Sequence, residues 1–322
     1  MRAILVSQFG GPEQLVATEM PDAAPSRGQV RIRNVRSSVN FADVKAVSGN
    51  YPVPGMPFVP GLDAYGVVDA VGEGVDGSWM GRHVVAFVDN GGYAQSSLAG
   101  EGLFFEVPAE LDADQAGAAP LLLGTCYGLL TRASTLRPGD RVLVHSAAGG
   151  IGTTAVQMAL ALGASTVVGV VSSPGKASLV EELGAKPVVA LGAGFANEAR
   201  RAAGGDFQII LNATAGGTVA EDLEVLAPFG TLVVFGMASG EPGIIKTDQL
   251  HSPNRTVAGF SFGTVRRSRP AEVASLMEPS LAMLNDGRIR LVIDSVLPLA
   301  QAAEAHRRLA SRESKGKILL VP

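Results

Sequence analysis

Four consecutive residues, Gly149, Gly150, Ile151 and Gly152, stand between an apolar β-branched run (Val142 to Val144) and a helical run (Thr153 to Leu162). Gly163 stops the helical run, and a second apolar run follows from Thr166 to Val171. Strand, glycine turn, helix and strand within about 30 residues make a βαβ unit of the dinucleotide-binding kind. Each small residue has a task there. Gly149, with Ala148 before it and Gly150 and Ile151 after it, lets the backbone approach a pyrophosphate, and Gly152 lets the helix pack close on the strand. The free N–H groups of the first helical turn then face the phosphates. The usual first glycine of G-x-G-x-x-G is Ala147 here, so the reading rests on the flanking strand and helix. A tight turn in an unrelated α/β protein is the alternative.

The end of the second strand bears on which dinucleotide. An NAD site usually carries an Asp or Glu about 20 residues beyond the turn, hydrogen-bonded to the ribose. Here that spacing lands on Ser172-Ser173-Pro174-Gly175-Lys176, which has no carboxylate. Two hydroxyls and an ammonium suit a dianionic 2′-phosphate, which a carboxylate would repel. Ser172, Ser173 and Lys176 therefore read as an NADP (NADPH) site. The alternative for Lys176 is a solvated residue in the first turn of the next helix. At the tops of later strands, Asn212, Phe235, Gly236 and Ser261 are expected to contact the ribose and nicotinamide.

The elements that must hold these residues differ between the two halves of the chain. Up to about residue 120, short strands alternate with Gly and Pro: Gln29 to Arg36 with period two, then Ala64 to Val71, Arg82 to Val88, Gly91 to Leu98 and Leu103 to Val107. Asn40 to Ser48 reads as one short helix that Asn40 can cap, and Pro52, Pro54, Pro57 and Pro60 make the next segment a loop. A helix from Pro120 to Thr131 is expected to link the halves. Beyond the βαβ unit, strands at Pro187 to Leu191, Phe207 to Asn212, Thr231 to Phe235 and Thr256 to Phe260 alternate with helices at Lys176 to Leu183, Phe195 to Ala203 and Thr218 to Leu226. The expectation is an α/β chain: a Rossmann doubly wound parallel sheet plus an irregular antiparallel β domain. After Ser261 a helix (Pro270 to Asp286), a strand (Ile289 to Ile293), a helix (Leu299 to Ser311) and a strand (Lys317 to Val321) are expected to return to the first domain. The expected domains are 1–120, 121–261 and the return segment 262–322.

Composition narrows the function classes. The 322 residues are 47% hydrophobic and 17% charged, with a net charge of −4, which gives no basis for binding nucleic acid or anionic lipid. One cysteine, Cys126, excludes an internal disulfide. No apolar run spans a bilayer, and the apolar part of the N-terminus is short for a signal peptide. A cytoplasmic protein without membrane association is expected.

Several stretches in the right order resemble the zinc-independent quinone oxidoreductases, the zeta-crystallin-like family of the medium-chain dehydrogenase/reductase superfamily. They are V-N-F-A-D-V (39–44), S-G-N-Y-P-V-P-G (48–55), F-V-P-G-L-D-A-Y-G-V-V (58–68), V-L-V-H-S-A-A-G-G-I-G (142–152), L-A-P-F-G-T-L-V-V-F-G (226–236) and the terminal K-G-K-I-L-L-V-P. The resemblance covers nearly the whole chain. It implies a GroES-like domain, a Rossmann cofactor domain and a cleft between them where nicotinamide meets substrate. Zinc-dependent alcohol dehydrogenases of the same superfamily hold their catalytic metal with a Cys from C-x-x-D, a His from G-H-E and a later Cys. Here the first piece reads Asn40-Phe41-Ala42-Asp43 and the second Gly61-Leu62-Asp63. An amide and a leucine cannot stand in for thiolate and imidazole, so no metal is expected.

By the same resemblance, Asn40, Tyr51, Thr125 and Lys45 are the candidates for the catalytic side. Asn40 takes the place of a metal ligand, or serves only as a helix cap. Tyr51 matches an active-site tyrosine whose hydroxyl can donate to the acceptor, or packs under the proline-rich loop. Thr125 matches a threonine near the nicotinamide. Lys45 lies where some relatives carry a tyrosine, or is a solvated helix residue. Asp43 is expected to orient its loop. Arg312 matches an arginine that reaches the 2′-phosphate, while a tyrosine that some relatives place near position 191 is replaced by Leu191. The four histidines are expected to be structural, His251 and His306 in polar surroundings. Arg266, Arg267 and Arg269 read either as a solvated loop or as a site for a phosphorylated substrate such as an acyl-CoA.

Without a metal to acidify an alcohol, the expected chemistry is hydride transfer from NADPH to an electron-poor acceptor. A quinone leads; an enone, enal or enoyl thioester is the second enzyme reading, and a non-catalytic NADPH-binding protein the third. The resemblance also suggests a homodimer joined through an edge strand near Thr231 to Phe235.

Overall fold

The computed structural model describes all 322 residues. It opens with a hairpin that period-two alternation did not flag, β1 (Arg2–Leu5) and β2 (Val16–Glu19), paired antiparallel. β3 (Gln29–Val39) follows, then α1 (Phe41–Val47), β4 (Asp63–Val71), β5 (His83–Phe87), β6 (Ser96–Gly100) and β7 (Phe104–Glu106). β6 starts five residues later than expected, because Gly91 (φ +102°) turns the chain and the Tyr93 N–H bonds the Pro60 carbonyl at 2.8 Å. α2 (Ala113–Gly128) starts seven residues earlier than expected. The Asp112 carboxylate accepts the N–H groups of Asp114 and Gln115 at 3.0 Å each and so caps it. Pro120, expected to begin the helix, lies inside it.

The next stretch alternates regularly: β8 (Arg141–Val144), α3 (Gly150–Ala161), β9 (Thr166–Val171), α4 (Ala177–Glu182), β10 (Lys186–Val189), α5 (Ala196–Ala203), β11 (Phe207–Asn212), α6 (Thr218–Val225), β12 (Leu226–Val234), α7 (Asp248–His251) and β13 (Thr256–Gly259). The chain ends with α8 (Phe262–Ser268), α9 (Val273–Asn285), β14 (Ile293–Pro298), α10 (Ala302–Ala310) and β15 (Lys317–Val321). α8 was not expected. β14 begins where the expected strand Ile289 to Ile293 ends. Ile289 and Leu291 are buried without pairing, because Gln157 bonds both backbone groups of Arg290 (2.8 and 3.0 Å) and Gln115 both of Leu291 (2.8 and 2.9 Å).

The chain divides into two compact units, residues 1–123 with 265–285 and 291–322, and residues 124–264 with 286–290. In the first unit β14, β15, β3, β4, β5 and β7 lie side by side, with β6 also paired to β3. All these pairs are antiparallel except β14 with β15. Alternation along β3 gives the sheet an apolar side formed by Val30, Ile32, Val68, Val84 and Phe104. A second cluster, with Ile4, Val6, Val39, Phe58, Tyr93 and Leu320 among its members, is covered by α1 and α10.

The second unit is a six-stranded parallel sheet in the order β10-β9-β8-β11-β12-β13. Its inner strands β8, β9 and β11 are buried on both faces, which is why they read as nearly unbroken apolar runs rather than alternating ones. The order reverses between β8 and β11. Ligands of doubly wound sheets bind outside the strand carboxyl ends at such a reversal. β12 is hydrogen-bonded on both sides, so the segment expected to be a free edge for dimer contact is interior; the sixth strand, β13, forms that edge. No helix is long and apolar enough to cross a membrane.

Candidate active site

At the reversal, the Gly149 carbonyl accepts the N–H of Thr153 at 2.8 Å and α3 begins at Gly150. The N–H groups of its first turn have no partner inside the helix. Gly152 lies against the turn: a Cβ there would sit 2.3 Å from the Ser146 carbonyl oxygen and 2.6 Å from the Ala147 Cα. Gly149 is roomier, its nearest such neighbour being 3.4 Å away. Ala148 is buried; Gly149, Gly150 and Ile151 are half-buried.

A closed polar network holds the two loops that flank this point. His145, just past β8, bonds Asp222 on α6 through Nε2 at 2.7 Å, and its ring meets Phe195 edge-on. Asp222 also accepts from the Asn212 amide, which donates to Thr218 Oγ1 at 2.9 Å. The Asn212 Oδ1 accepts the N–H groups of Thr214 and Ala215 at 2.7 and 2.8 Å. Asn212 is fully buried, so its side chain cannot contact the ribose as expected; it fixes the loop after β11 instead.

The other expected cofactor residues lie as follows. Ser172 is exposed at the end of β9, and the turn Pro174–Lys176 brings the Lys176 ammonium 3.5 Å from its hydroxyl. Ser173 is half-buried beside them, and Leu191 is largely exposed. Phe235 and Gly236 are half-buried just past β12, Phe235 donating its N–H to the Asn212 carbonyl at 3.0 Å. Ser261 is exposed and its hydroxyl accepts the Thr264 N–H at 3.2 Å. Thr125 is half-buried on α2. Arg312 belongs to the other unit and follows α10 in a left-handed conformation (φ +61°).

Of the expected catalytic residues Asn40 alone belongs to a buried polar cluster of the first unit, one that sequence reasoning missed, while Thr125 lies in the other unit. Asn40 follows β3 and caps α1, its backbone N–H bonding the Asp43 carboxylate at 2.8 Å. The Asn40 side chain serves another partner: its Oδ1 accepts from the ammonium of Lys317, itself buried on β15. Its amide nitrogen is 3.3 Å from both oxygens of Ser38. Asp63, at the start of β4, accepts the Ser38 hydroxyl at 2.7 Å. Tyr93 donates to Asp43 at 3.2 Å and, having one proton, accepts from His306 Nε2 at 3.0 Å. His306, expected in polar surroundings, is therefore a core residue, and burial pushes it down to about 4. Burial, reinforced by the charge of Asp63, pushes Asp43 up to about 7.

Tyr51 is half-buried and packs on the apolar cluster below α1. Lys45 is half-buried with its ammonium 5.4 Å above the Phe41 ring. Of the arginine cluster, Arg267 and Arg269 are exposed, but Arg266 lies on α8 and is 3% exposed, not part of a solvated loop. The only hint of Lys317 was one lysine opening an otherwise apolar strand, K-I-L-L-V, and Asp63 gave none.

Two stability predictions arise here. Lys317 is the cation of a buried cluster holding two carboxylates, so Lys317→Met should lower the unfolding free energy by about 3 kcal/mol in denaturant titrations; a loss below about 1 kcal/mol would contradict the arrangement. Because the folded pKa of Asp43 lies above its ordinary 3.8, its contribution is complete below that value and is lost as the pH rises through about 7. His306 acts oppositely, its contribution complete above 6.5 and lost as the pH falls through about 4. Asp43→Asn removes only the first. Its stability relative to the parent should climb with pH by up to about 1.4 kcal/mol per unit as Asp43 would ionise. An offset independent of pH would refute the assignment.

Comparison with known proteins agrees with this architecture. Residues 26–115 match the alcohol dehydrogenase GroES-like domain, and residues 150–278 match the family described as zinc-binding dehydrogenase. The chain is 32% identical to a quinone oxidoreductase of Pseudomonas aeruginosa over 332 residues, covering 100% of this chain and 99% of the relative. It is 32% identical to a 2-haloacrylate reductase of a Burkholderia species, covering 99% and 98%. The crystal structure of Escherichia coli quinone oxidoreductase complexed with NADPH superposes with a TM-score of 0.91 at 28% identity, covering 100% of both chains. The chain is an oxidoreductase, and it belongs to the zinc-independent quinone oxidoreductase family of the medium-chain dehydrogenase/reductase superfamily.

Proposed function

We propose that this protein uses NADPH to reduce a quinone without a metal ion. The observation that carries the cofactor is the pairing of Ser172 with Lys176 at the end of β9, beside a glycine turn and with no carboxylate at that spacing. An ammonium and a hydroxyl 3.5 Å apart form a receptor for a 2′-phosphate, and Gly150 to Gly152, in the first turn of α3, hold the pyrophosphate on backbone N–H groups that have no partner inside the helix, with Gly149 leaving room for its approach. When bound, NADPH supplies the hydride.

The first unit supports the metal-free half of the reading. A metal at Asn40 would need the amide oxygen, which is taken by the Lys317 ammonium, and the neighbouring position is Leu62. No three of the His, Cys, Asp and Glu side chains converge as a metal site. The residues present do not fit zinc. What they offer is hydrogen-bond donation: the Tyr51 hydroxyl can stabilise charge on an acceptor oxygen, and Asn40, Lys45 and Thr125 complete the proposed catalytic set. Arg312 is proposed as a further contact to the 2′-phosphate.

The similarity to a 2-haloacrylate reductase favours one other acceptor class, a double bond conjugated to a carbonyl or carboxylate. Within the reading the protein works in the cytoplasm, where its single buried thiol persists, and as a homodimer, which light scattering would test. The function itself is tested by following NADPH consumption with neutral quinones and with activated alkenes. Quinone-dependent turnover is expected. Tight NADPH binding with no turnover on either class would refute an enzymatic role.

A further inference from the structure

The loop after β10 is held at its far end by a side chain from another helix. Leu191, Gly192, Ala193 and Gly194 are all exposed, and both glycines adopt a left-handed backbone (φ +85° and +97°). Leu191 is 80% exposed, a large apolar side chain facing solvent. The N-cap residue of α5, Phe195, has no side-chain oxygen to offer the first helical turn. Glu221 of α6 supplies one in its place. Its Oε1 accepts the Gly194 N–H at 2.5 Å, and its Oε2 accepts the N–H groups of Phe195 and Ala196 at 3.0 and 3.2 Å.

Strand register puts this loop beside the proposed 2′-phosphate receptor. Val189 pairs with Val171, and the Ala190 N–H bonds the Val171 carbonyl at 2.9 Å. The chain after β10 therefore leaves the sheet alongside the chain after β9, which carries Ser172 and Ser173. The same helix reaches two other loops at the carboxyl end. Asp222, the next residue, bonds His145 after β8 and Asn212 at the end of β11, and Thr218, one turn earlier, bonds the Ala215 carbonyl at 2.8 Å. The Phe195 ring also meets the His145 ring edge-on with centroids 4.8 Å apart, so the loop after β10 packs on the residue that leads into the glycine turn. Two left-handed glycines leave a loop with little stiffness of its own, and ordering it around a ligand costs backbone entropy. A carboxylate that grips three N–H groups removes much of that cost before anything binds.

We propose that Glu221 is a positioning residue for the adenosine half of NADPH. It holds the loop after β10 beside Ser172 and Lys176, so that Leu191 presents an apolar face to the adenine. The inference rests on the NADPH reading above and adds to it a residue that acts through the loop. A helix cap alone would affect only stability, whereas a positioning residue must also affect affinity, and only for ligands that carry the adenosine half.

The test is calorimetric titration of the full-length protein and its Glu221 variants with NADPH and with adenosine 2′,5′-bisphosphate, which carries the adenosine half alone. Glu221→Ala should weaken both ligands by the same factor, about tenfold, the weight of ordering one residue's backbone. Glu221→Gln should lose nearly as much, because an amide nitrogen cannot accept an N–H, and Glu221→Asp should keep part of the affinity. Melting curves report the capping role separately. Glu221→Gln keeps the shape of the side chain and decides the matter if Glu221→Ala does not fold. A variant that melts lower yet binds both ligands as the parent does would reduce Glu221 to a helix cap and overturn the proposal. A loss for NADPH with the bisphosphate unaffected would overturn it too. If the parent bound neither ligand, the cofactor reading would fall and this inference with it; binding by the parent with unaffected variants removes the inference alone.

Discussion

Removing both polar groups at the end of β9, in Ser172→Ala/Lys176→Ala, should weaken NADPH binding by about 100-fold and leave NADH binding within about twofold of the parent. The double variant deletes a charge-assisted contact and a neutral one to a dianionic phosphate, each worth about 1–2 kcal/mol, and each 1.4 kcal/mol is tenfold in affinity. Both side chains stand at the surface, Lys176 half-buried, so the fold does not depend on them and melting should be unchanged. Fluorescence titration of both cofactors provides the comparison. An equal loss for NADH and NADPH would mean that the two residues shape the site generally and do not read the phosphate.

The second large effect concerns the glycine turn, where two neighbouring glycines should behave differently. Gly152→Ala forces a Cβ to within 2.3 Å of the Ser146 carbonyl and 2.6 Å of the Ala147 Cα, both backbone atoms that cannot rotate away. α3 must lift off its strand. We expect a loss of about 2–3 kcal/mol in stability, by analogy with overpacked cores, together with loss of measurable NADPH binding. Gly149→Ala meets only a 3.4 Å contact in the free protein. It should keep its melting temperature and still lose at least tenfold in NADPH affinity, because the new methyl occupies the approach to the pyrophosphate. Melting and titration on the same pair separate packing from binding. If both variants lost stability equally, the division of labour between the glycines would be wrong.

The cofactor unit was legible in the sequence because its information is local. β8, β9 and β11 announce themselves as nearly unbroken apolar runs, and the residues proposed to read the 2′-phosphate lie at a fixed distance along the chain from the turn. The misreadings there had a common cause. Asn212 stands at the top of a strand, as a ribose-contacting residue would, yet its bonds to Asp222, Thr218 and the loop after β11 come from residues up to ten positions away. Resemblance suggested an edge strand near Thr231 to Phe235, but β13 pairs along β12, a partner that the sequence around β12 does not announce.

The other unit was less legible because its site is assembled from distant pieces. Lys317 meets Asn40 across 277 residues and His306 meets Tyr93 across 213, and no spacing rule connects them. Resemblance pointed to Asn40 but not to the cation on its amide. Arg266 was hidden differently: R-R-S-R reads as a solvated run, and only the packing of α8 puts the first arginine inside and the others out. Helix boundaries went astray where a side chain outside the helix decided them, as Asp112 does for α2.

The central claim is that a phosphorylated pyridine nucleotide binds at the carboxyl end of the six-stranded sheet. Calorimetric titration of the unmodified protein with NADPH and NADH tests it most directly. The account predicts saturable one-to-one binding of NADPH, at least tenfold tighter than NADH. Tighter binding of NADH, or no heat from either nucleotide, would contradict it.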